Sequence, residues 1–246
     1  ESDFKRITDT ERYGENKQPL DEHWATIIIN NSSLNTFPNF IKKGITLHNT
    51  NMRIMPTNKP VFSGFTDDSN GFPFDILQNT TLPANTPILI THMTEDQSWV
   101  LVETSFAYGW VHIHDVGYAG PRFRKSFKKQ RSFIAVTEDD FPIRSFEGNY
   151  LYQGYIGMIF PLKKETKHNY HIVTTLANKN KYAFTQEAVI PKTTGSKMPL
   201  SLNIDNLTMI CNKLIDQPYG WGGMYNNRDC SAMIRDLYVP FGIWLP

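Results

Sequence analysis

The sequence predicts an α+β protein of several domains, in which two small β-barrels are followed by a pair of helices. Short β segments separated by turn residues begin near Gly44 and recur after Gln130, and this pattern is typical of small barrels. Residues 201–246 instead carry apolar side chains at helical spacing. With 246 residues and 40% hydrophobic content, the chain can bury more than one core. The predicted units are an N-terminal cap or arm (1–44), a first barrel (45–120), a linker with a second barrel (121–198) and a C-terminal part (199–246).

Neither the charge nor the hydropathy of the chain indicates a nucleic-acid or membrane partner. The formal net charge is +1, from 25 basic and 24 acidic residues, so no long-range field favours a polyanion or a membrane surface. The longest apolar runs, 25–29 and 157–160, are far below the ~20 residues that a membrane span needs. No signal-peptide pattern opens the chain, which predicts that any such peptide has been removed.

The sequence predicts no metal site and no cofactor. Cys211 and Cys230 are too few for a disulfide framework and lack the spacing of a zinc site, and they leave the redox compartment open. His112 and His114 would share one face of a strand. Without a third ligand nearby, a solvated strand face is favoured over a metal pair.

The strand predictions follow β-branched and aromatic runs between turn residues. Val100 and Val102 alternate with Leu101 and Glu103 in an imperfect period of two. The excursion over 64–78 is longer than an ordinary hairpin loop, which predicts a binding loop or a disordered segment. The predicted strands are 45–47, 52–55, 87–92, 99–104 and 108–112 in the first barrel, and 134–136, 150–152, 154–160, 171–175 and 183–184 in the second.

Two segments are predicted as linkers. Residues 120–130 are basic and include Phe123 and Phe127. A patch for nucleic acid or a wall polymer is one interpretation, but the neutral charge of the whole chain favours a solvated interdomain linker. Residues 191–199 read as a linker from their Pro, Gly and Ser content.

The clearest helix precedes Pro218. Asn203 can cap its start and Pro218 ends it. Cys211 lies within the apolar stripe, where a small buried hydrophobe is the expected role. The stripe consists of Ile204, Leu207, Ile210, Cys211, Leu214 and Ile215.

A reactive thiol is predicted at the start of the next helix. If Asp229 caps that helix, Cys230 lies in its first turn, where free backbone N–H groups and the helix dipole favour a thiolate. The glycines of the preceding 219–223 turn permit positive φ and close approach to a ligand. Amides there, or the Tyr219 hydroxyl, could stabilise an oxyanion. An Asp-Cys-Ser triplet alone would be read as structural, but the upstream turn strengthens the catalytic interpretation.

This stretch resembles the NlpC/P60 family of papain-like cysteine peptidases, which cut bacterial cell-wall peptides. The matching residues are Tyr219, Trp221, Gly222, Gly223, Asp229, Cys230 and Ser231. Upstream, residues 47–56, 60–62, 71–75 and 108–111 resemble the bacterial SH3 (SH3b) domains of multidomain members. The resemblance implies a cap, two SH3-like β-barrels, and then the N-terminal part of a papain-like domain.

The resemblance also implies roles for single residues. Cys230 would be the nucleophile, and Tyr219 would face the same pocket or the oxyanion. Asp229 and Ser231 would line the subsite for the free α-amine of a stem peptide, cut between γ-D-Glu and a diamino acid. Trp221 would contribute to substrate binding.

Three further substrate contacts are weighed against plainer roles. Tyr108 and Trp110 would close one end of the substrate groove, although packing in the barrel is at least as good an interpretation. Arg228 could donate to a substrate carboxylate, and the alternative is a surface guanidinium.

The resemblance further implies that the catalytic histidine and its orienting group follow the cysteine, whereas this chain ends at Pro246. A separate or missing C-terminal segment is therefore expected as a partner, and the fragment alone would be inactive. The segment would be either a second polypeptide produced by cleavage after Pro246 or a part lost by truncation, and an inert product is the alternative. Apolar side chains that would otherwise lack a partner favour the missing segment: Met233, Ile234, Leu237, Phe241, Ile243, Trp244 and Leu245.

Two other functions stay open beside the stem-peptide endopeptidase. The chain could be a wall-binding or regulatory protein with an inert peptidase remnant. It could also use its thiol for acyl transfer or amide hydrolysis on another substrate, since fold resemblance does not decide function. The substrate implied by the resemblance predicts a periplasmic or secreted location.

Overall fold

The computed structural model describes residues 7–21, 23–66 and 71–245. Part of the predicted N-terminal arm (1–6) and of the predicted binding loop (67–70) lies outside the described residues. No helix in the described ranges is long and apolar enough to cross a membrane.

The first β domain is a seven-stranded antiparallel sheet with the order β3-β2-β6-β5-β4-β1-β7. Its core is built from alternate positions of these strands, such as Val100 and Val102, which are fully buried. Its strands are β1 (Lys42–Thr46), β2 (Thr50–Arg53), β3 (Gln78–Leu82), β4 (Pro87–Met93), β5 (Trp99–Glu103), β6 (Tyr108–His112) and β7 (Val116–Tyr118).

The second β domain repeats this topology strand for strand, with the order β10-β9-β13-β12-β11-β8-β14. Its core includes Ile134, Ile143, Phe160 and Ile172. The two domains share a topology although their sequences do not obviously repeat. The strands are β8 (Phe133–Val136), β9 (Phe141–Ser145), β10 (Tyr150–Gly154), β11 (Ile159–Glu165), β12 (Asn169–Ala177), β13 (Ala183–Pro191) and β14 (Gly195–Lys197).

Four strands escape the sequence prediction because their hydrophobic signal is weak or short. β3 reads Gln-Asn-Thr-Thr-Leu and forms because β2 pairs with it along its length. β7, β9 and β14 were likewise missed, and β14 lies inside the predicted 191–199 linker. The predicted strand 154–160 is displaced, since β11 begins only at Ile159.

The basic connector is a helix rather than a solvated linker. Helix α2 (Pro121–Lys128) starts with proline at its first turn, where a missing N–H is tolerated. Phe123 is buried against Ile45 of the first β domain and Ala183 of the second. The helix therefore bridges the two sheets with its apolar face, while Arg122, Lys125 and Lys128 are exposed.

The N-terminal part packs against the long loop between β2 and β3. Helix α1 (Trp24–Ser32) supplies Trp24 and Ile28 to a cluster around Met55, Val61 and Leu77. The C-terminal half of the predicted binding loop is thus part of a packed cluster.

Two helices complete the fold. Asn203 caps α3 (Ile204–Leu214) by accepting from the Asn206 N–H at 2.9 Å, and Cys230 begins α4 (Cys230–Tyr238). Leu237 and Phe241 pack with Ile210 and with Ile156 of the second β domain, so the expectation that they lack a partner is wrong. Other apolar side chains remain exposed: Ile204, Met233, Ile234 and Trp244.

Candidate active site

Cys230 occupies the first position of a capped helix and is exposed. Asp229 is the N-cap: its Oδ1 accepts from the Ala232 N–H at 2.8 Å and from the Ser231 hydroxyl at 2.9 Å. Within the described ranges, Asp229 Oδ2 has no hydrogen-bond partner. The thiol therefore sits at a helix N-terminus beside a carboxylate oxygen that is open to a ligand.

The tyrosine turn is held next to this helix start. The backbones of Tyr219 and Arg228 form a parallel bridge, and the Gly220 N–H donates to the Arg228 carbonyl at 3.0 Å. Burial and the negative charges of Asp229 and Cys230 raise the pKa of Tyr219. The phenol therefore stays neutral at physiological pH and can donate a hydrogen bond near the thiol.

The glycine pair of this turn is pressed against β3. Gln78 Nε2 donates to the Gly222 carbonyl at 2.8 Å, and the Thr81 hydroxyl donates to the Gly223 carbonyl at 2.9 Å. Gly222 and Gly223 have φ of +56° and +81°, and a Cβ on Gly223 would lie 2.3 Å from Thr81 Oγ1. Only glycine fits both the conformation and the approach.

Gly223→Ala should destabilise the chain by about 1–3 kcal/mol more than Gly148→Ala. Both glycines have positive φ, +81° and +91°, but nothing lies within 4 Å of a Cβ on Gly148. The difference therefore isolates the clash with Thr81 from the backbone strain. Chemical denaturation measures the free energy of unfolding of both variants. Equal losses would mean that the turn moves away from Thr81 without loss of stability.

Trp221 and Tyr108 lie where the first β domain meets the turn. Trp221 donates its Nε1–H to the Asp75 carbonyl at 2.9 Å and packs edge-on against Phe74 at 5.3 Å. Tyr108 is 64% exposed, and its carbonyl accepts from Asn79 Nδ2 at 2.8 Å. Both residues thus border the same junction between β3 and the turn.

Trp110 does not reach a substrate groove. Its side chain is among the fully buried ones, at 2% exposure, and its ring lies 6.0 Å from that of His92 inside the first β domain. The predicted substrate contact is wrong, because neighbouring side chains such as His92 cover the Trp110 ring on the face of β6 opposite to Val111 of the barrel core.

Arg228 is buried, which corrects its expected role in substrate binding. Its Nη1 and Nη2 donate to both carboxylate oxygens of Asp139 in the second β domain, at 2.6 and 2.9 Å. Its Nε donates to Asp236 at 2.9 Å, and further bonds reach Gln217 and the Ile156 carbonyl. Burial alone would lower the pKa of Arg228, but its two carboxylate partners raise it overall. The guanidinium therefore ties the cysteine helix to the second β domain.

His48, His112, His114 and His171 make side-chain contacts within the β domains, and His92 bonds to the Ser32 carbonyl of α1. His48 pairs with Asp115 at 3.2 Å and His171 with Glu187 at 2.7 Å, while His112 and His114 stack with centroids 5.0 Å apart. No hydrogen bond joins any described histidine to the sulfur of Cys230. In the same ranges, no group of three or more His, Cys, Asp or Glu side chains converges as a metal site would require.

The structure also contains a cleft that does not include the thiol of Cys230. Its volume is about 1130 Å³, and it separates the two β domains from the residues after α4. Phe106, Phe127 and Trp244 line it together with Arg131 and Arg235, whereas Cys230 does not.

Four residues distant in sequence hold the site, and no sequence pattern predicts them. Asp75, Gln78 and Thr81 fix the turn, and Asp139 fixes Arg228. Of these four, only Asp75 lies in a stretch that resembles an SH3b domain, residues 71–75. These residues are polar and lie in loops or on β3, so they show no hydrophobic periodicity from which a role could be predicted.

Comparison with known proteins assigns the two β domains. A model of the SH3 domain of SH3b1 type matches residues 60–112, and one of SH3b2 type matches residues 123–167. By family model, the chain carries two bacterial SH3b domains. Gln78 and Thr81 fall within the first match and Asp139 within the second, so each SH3b domain holds part of the candidate site.

Two solved structures extend the comparison to the whole chain. An NlpC/P60 endopeptidase from Photobacterium damselae subsp. piscicida is 29% identical with a TM-score of 0.85, covering 100% of this chain and 54% of its own. The present chain thus spans about half of that protein. An NlpC/P60 family protein from Bacillus cereus ATCC 10987 is 17% identical with a TM-score of 0.60, covering 83% of this chain and 74% of its own, and supports the fold alone. No curated protein matches.

Proposed function

We propose that the chain belongs to a cysteine endopeptidase of peptidoglycan stem peptides that acts in the cell envelope or outside the cell. The observation that carries the proposal is the exposed Cys230 at the capped start of α4, beside the Tyr219 turn. The structural neighbours are NlpC/P60 proteins, one of them named as an endopeptidase. The two SH3b domains fit a protein that attaches to the wall.

The reaction proposed is nucleophilic acyl transfer to water. The Cys230 thiolate attacks the carbonyl of the bond between γ-D-Glu and the diamino acid, giving a tetrahedral oxyanion. Its collapse expels the amine, which takes up a proton from the general acid, and leaves a thioester. Water then hydrolyses the thioester and regenerates the thiol. Neutral Tyr219 is a suitable hydrogen-bond donor to the oxyanion.

The general base is proposed to come from a further polypeptide segment that packs on α3 and α4. Two observations support this proposal. His48 and His171 pair with carboxylates of the β domains, and His92 bonds to the Ser32 carbonyl of α1. The Photobacterium endopeptidase is nearly twice as long as the matched part. The exposed Ile204, Met233 and Ile234 offer an apolar surface for such a segment.

Asp229 is proposed to bind the free α-amine of the stem peptide, with Ser231 alongside it. Its Oδ1 is engaged in capping and its Oδ2 is open. A charge-assisted hydrogen bond of this kind contributes about 1.5–3 kcal/mol. Substrates without the amine should therefore be cleaved roughly 10- to 150-fold more slowly in kcat/KM.

The test compares a free tripeptide stem with its N-acetylated form, using protein that includes the segment supplying the base. Asp229→Asn is the matched control, because asparagine also caps helices but carries no charge. The wild type should prefer the free amine and D229N should lose that preference. Equal cleavage of both peptides by the wild type would refute the amine subsite.

A second candidate, a wall-binding protein without catalysis, is favoured by the absence of a histidine bonded to Cys230 in the described ranges. Sedimentation with purified sacculi separates the two. Binding together with peptide release supports the endopeptidase, whereas binding without release, even with the completing segment present, supports the second candidate.

A further inference from the structure

A buried arginine in the first β domain organises the contacts beneath the glycine turn. Arg53 of β2 is 4% exposed. Its Nη1 donates to Asp75 Oδ2 at 2.5 Å and to Gln78 Oε1 at 3.0 Å, and its Nε and Nη2 donate to the carbonyls of Thr57 and Lys59. All three guanidinium nitrogens are therefore used, and the group is fixed in place.

Arg53 determines which way the Gln78 amide faces. A guanidinium only donates hydrogen bonds, so the oxygen of the Gln78 amide must face Arg53. The NH₂ group then faces the opposite direction, where it donates to the Gly222 carbonyl at 2.8 Å and to Asn51 Oδ1 at 3.1 Å. Asp75 extends the same network to the turn, since its own carbonyl accepts the Trp221 indole N–H.

The turn needs such support because its backbone is intrinsically unfavourable. Four residues have positive φ: Gly222, Gly223, Tyr225 and Asn226. Two of them carry side chains, and conformations of this kind persist only when surrounding contacts hold them. The first SH3b domain holds the two glycines and Trp221, through Gln78, Thr81 and Asp75. The Asn226 side chain is hydrogen-bonded to Tyr155 of the second β domain.

We propose that Gln78, oriented by Arg53, is a positioning residue for the turn that borders Cys230. The SH3b domain then sets the geometry of the active site in addition to any contact with the wall. This inference rests on the proposed function for its catalytic consequence. Its geometric part, that the amide of Gln78 holds the turn, stands independently.

The variant that separates a positioning role from a structural one is Gln78→Glu. A carboxylate keeps an acceptor for Arg53, so the first β domain should stay folded. It cannot donate to the Gly222 carbonyl, so the turn should shift. Gln97→Glu, an exposed change in the β4–β5 turn, adds the same charge without touching the network and serves as the control.

The readout is ¹⁹F NMR of protein labelled with 5-fluorotryptophan, with resonances assigned from single Trp→Phe variants. Trp221 reports the turn, and Trp110, buried in the first β domain, reports the domain itself. In Q78E, the Trp221 resonance should move or broaden while that of Trp110 stays, and kcat for stem peptides should fall about 100-fold with KM little changed. Q97E should alter neither.

Three results would overturn the proposal: an unchanged Trp221 resonance, equal changes at Trp110, or an unchanged kcat in an active enzyme despite a shifted Trp221. If Q78E does not fold, Thr81→Val, which removes the hydroxyl that donates to the Gly223 carbonyl and to Asn51 Oδ1, tests the hold of β3 on the same turn. Should the wild type prove inactive, the proposed function fails, and the resonances still decide whether Gln78 holds the turn.

Discussion

Cys230→Ala is expected to reduce stem-peptide cleavage by about 10⁴-fold or more, because without the sulfur no thioester can form. The variant should remain folded, since Cys230 is exposed and lies outside the hydrophobic clusters of the described chain. Chromatographic separation of the released peptides measures the loss. Circular dichroism and thermal unfolding establish that the fold persists.

Cys211→Ala is the matched control. Cys211 is the other free cysteine, partly buried on α3 against the cluster of Ile210 and Leu237. Its replacement should cost a small amount of stability and leave cleavage nearly intact. If C230A kept more than a few per cent of the activity, or if C211A lost as much, Cys230 would not be the nucleophile.

Arg228→Ala is expected to lower the free energy of unfolding by about 3–5 kcal/mol. The change removes the guanidinium shared by buried Asp236 and partly buried Asp139, and leaves Asp236 with Arg235 alone. It also removes the polar link between the cysteine helix and the second SH3b domain, leaving the apolar contact with Ile156. Arg228→Lys should recover only part of the loss, because an ammonium cannot make the two parallel bonds to Asp139.

Arg144→Ala provides the comparison for a solvent-exposed arginine. Arg144 makes one hydrogen bond, to the Gly148 carbonyl within its own hairpin, so its loss should cost less than about 0.5 kcal/mol. Urea denaturation of R228A, R228K and R144A measures the loss in free energy of unfolding, which should be largest for R228A and smallest for R144A. A loss below about 1 kcal/mol for R228A would mean that water replaces the guanidinium between the two carboxylates.

Sequence patterns predicted those elements whose cause lies in neighbouring residues of the chain. Strands with alternating apolar residues, such as β5, and the helix capped by Asn203 could be read directly from the chain. Strand β3 could not, because only Leu82 is apolar and the strand exists through its pairing with β2. The common topology of the two sheets was also hidden, since hydrogen-bond order is a property of pairing and not of composition.

The same distinction applies to the site. Asp229 as a cap and Cys230 as the first helical residue follow from adjacent positions in the chain. The burial of Arg228 depends on Asp139, 89 positions earlier, and that of Trp110 on the packing of a whole domain. A single sequence gives no sign of which distant carboxylate will meet an arginine.

The seating of Gly222 and Gly223 on β3 limits how freely the first SH3b domain can be exchanged for another. A donor domain that recognises another wall chemistry would bring its own side chains at the positions of Arg53, Asp75, Gln78 and Thr81. Chimaeras joined within the basic connector (120–130) should then bind the new wall, but we expect them to have a low kcat. Grafting these four residues along with the new binding surface should restore the seating of the turn.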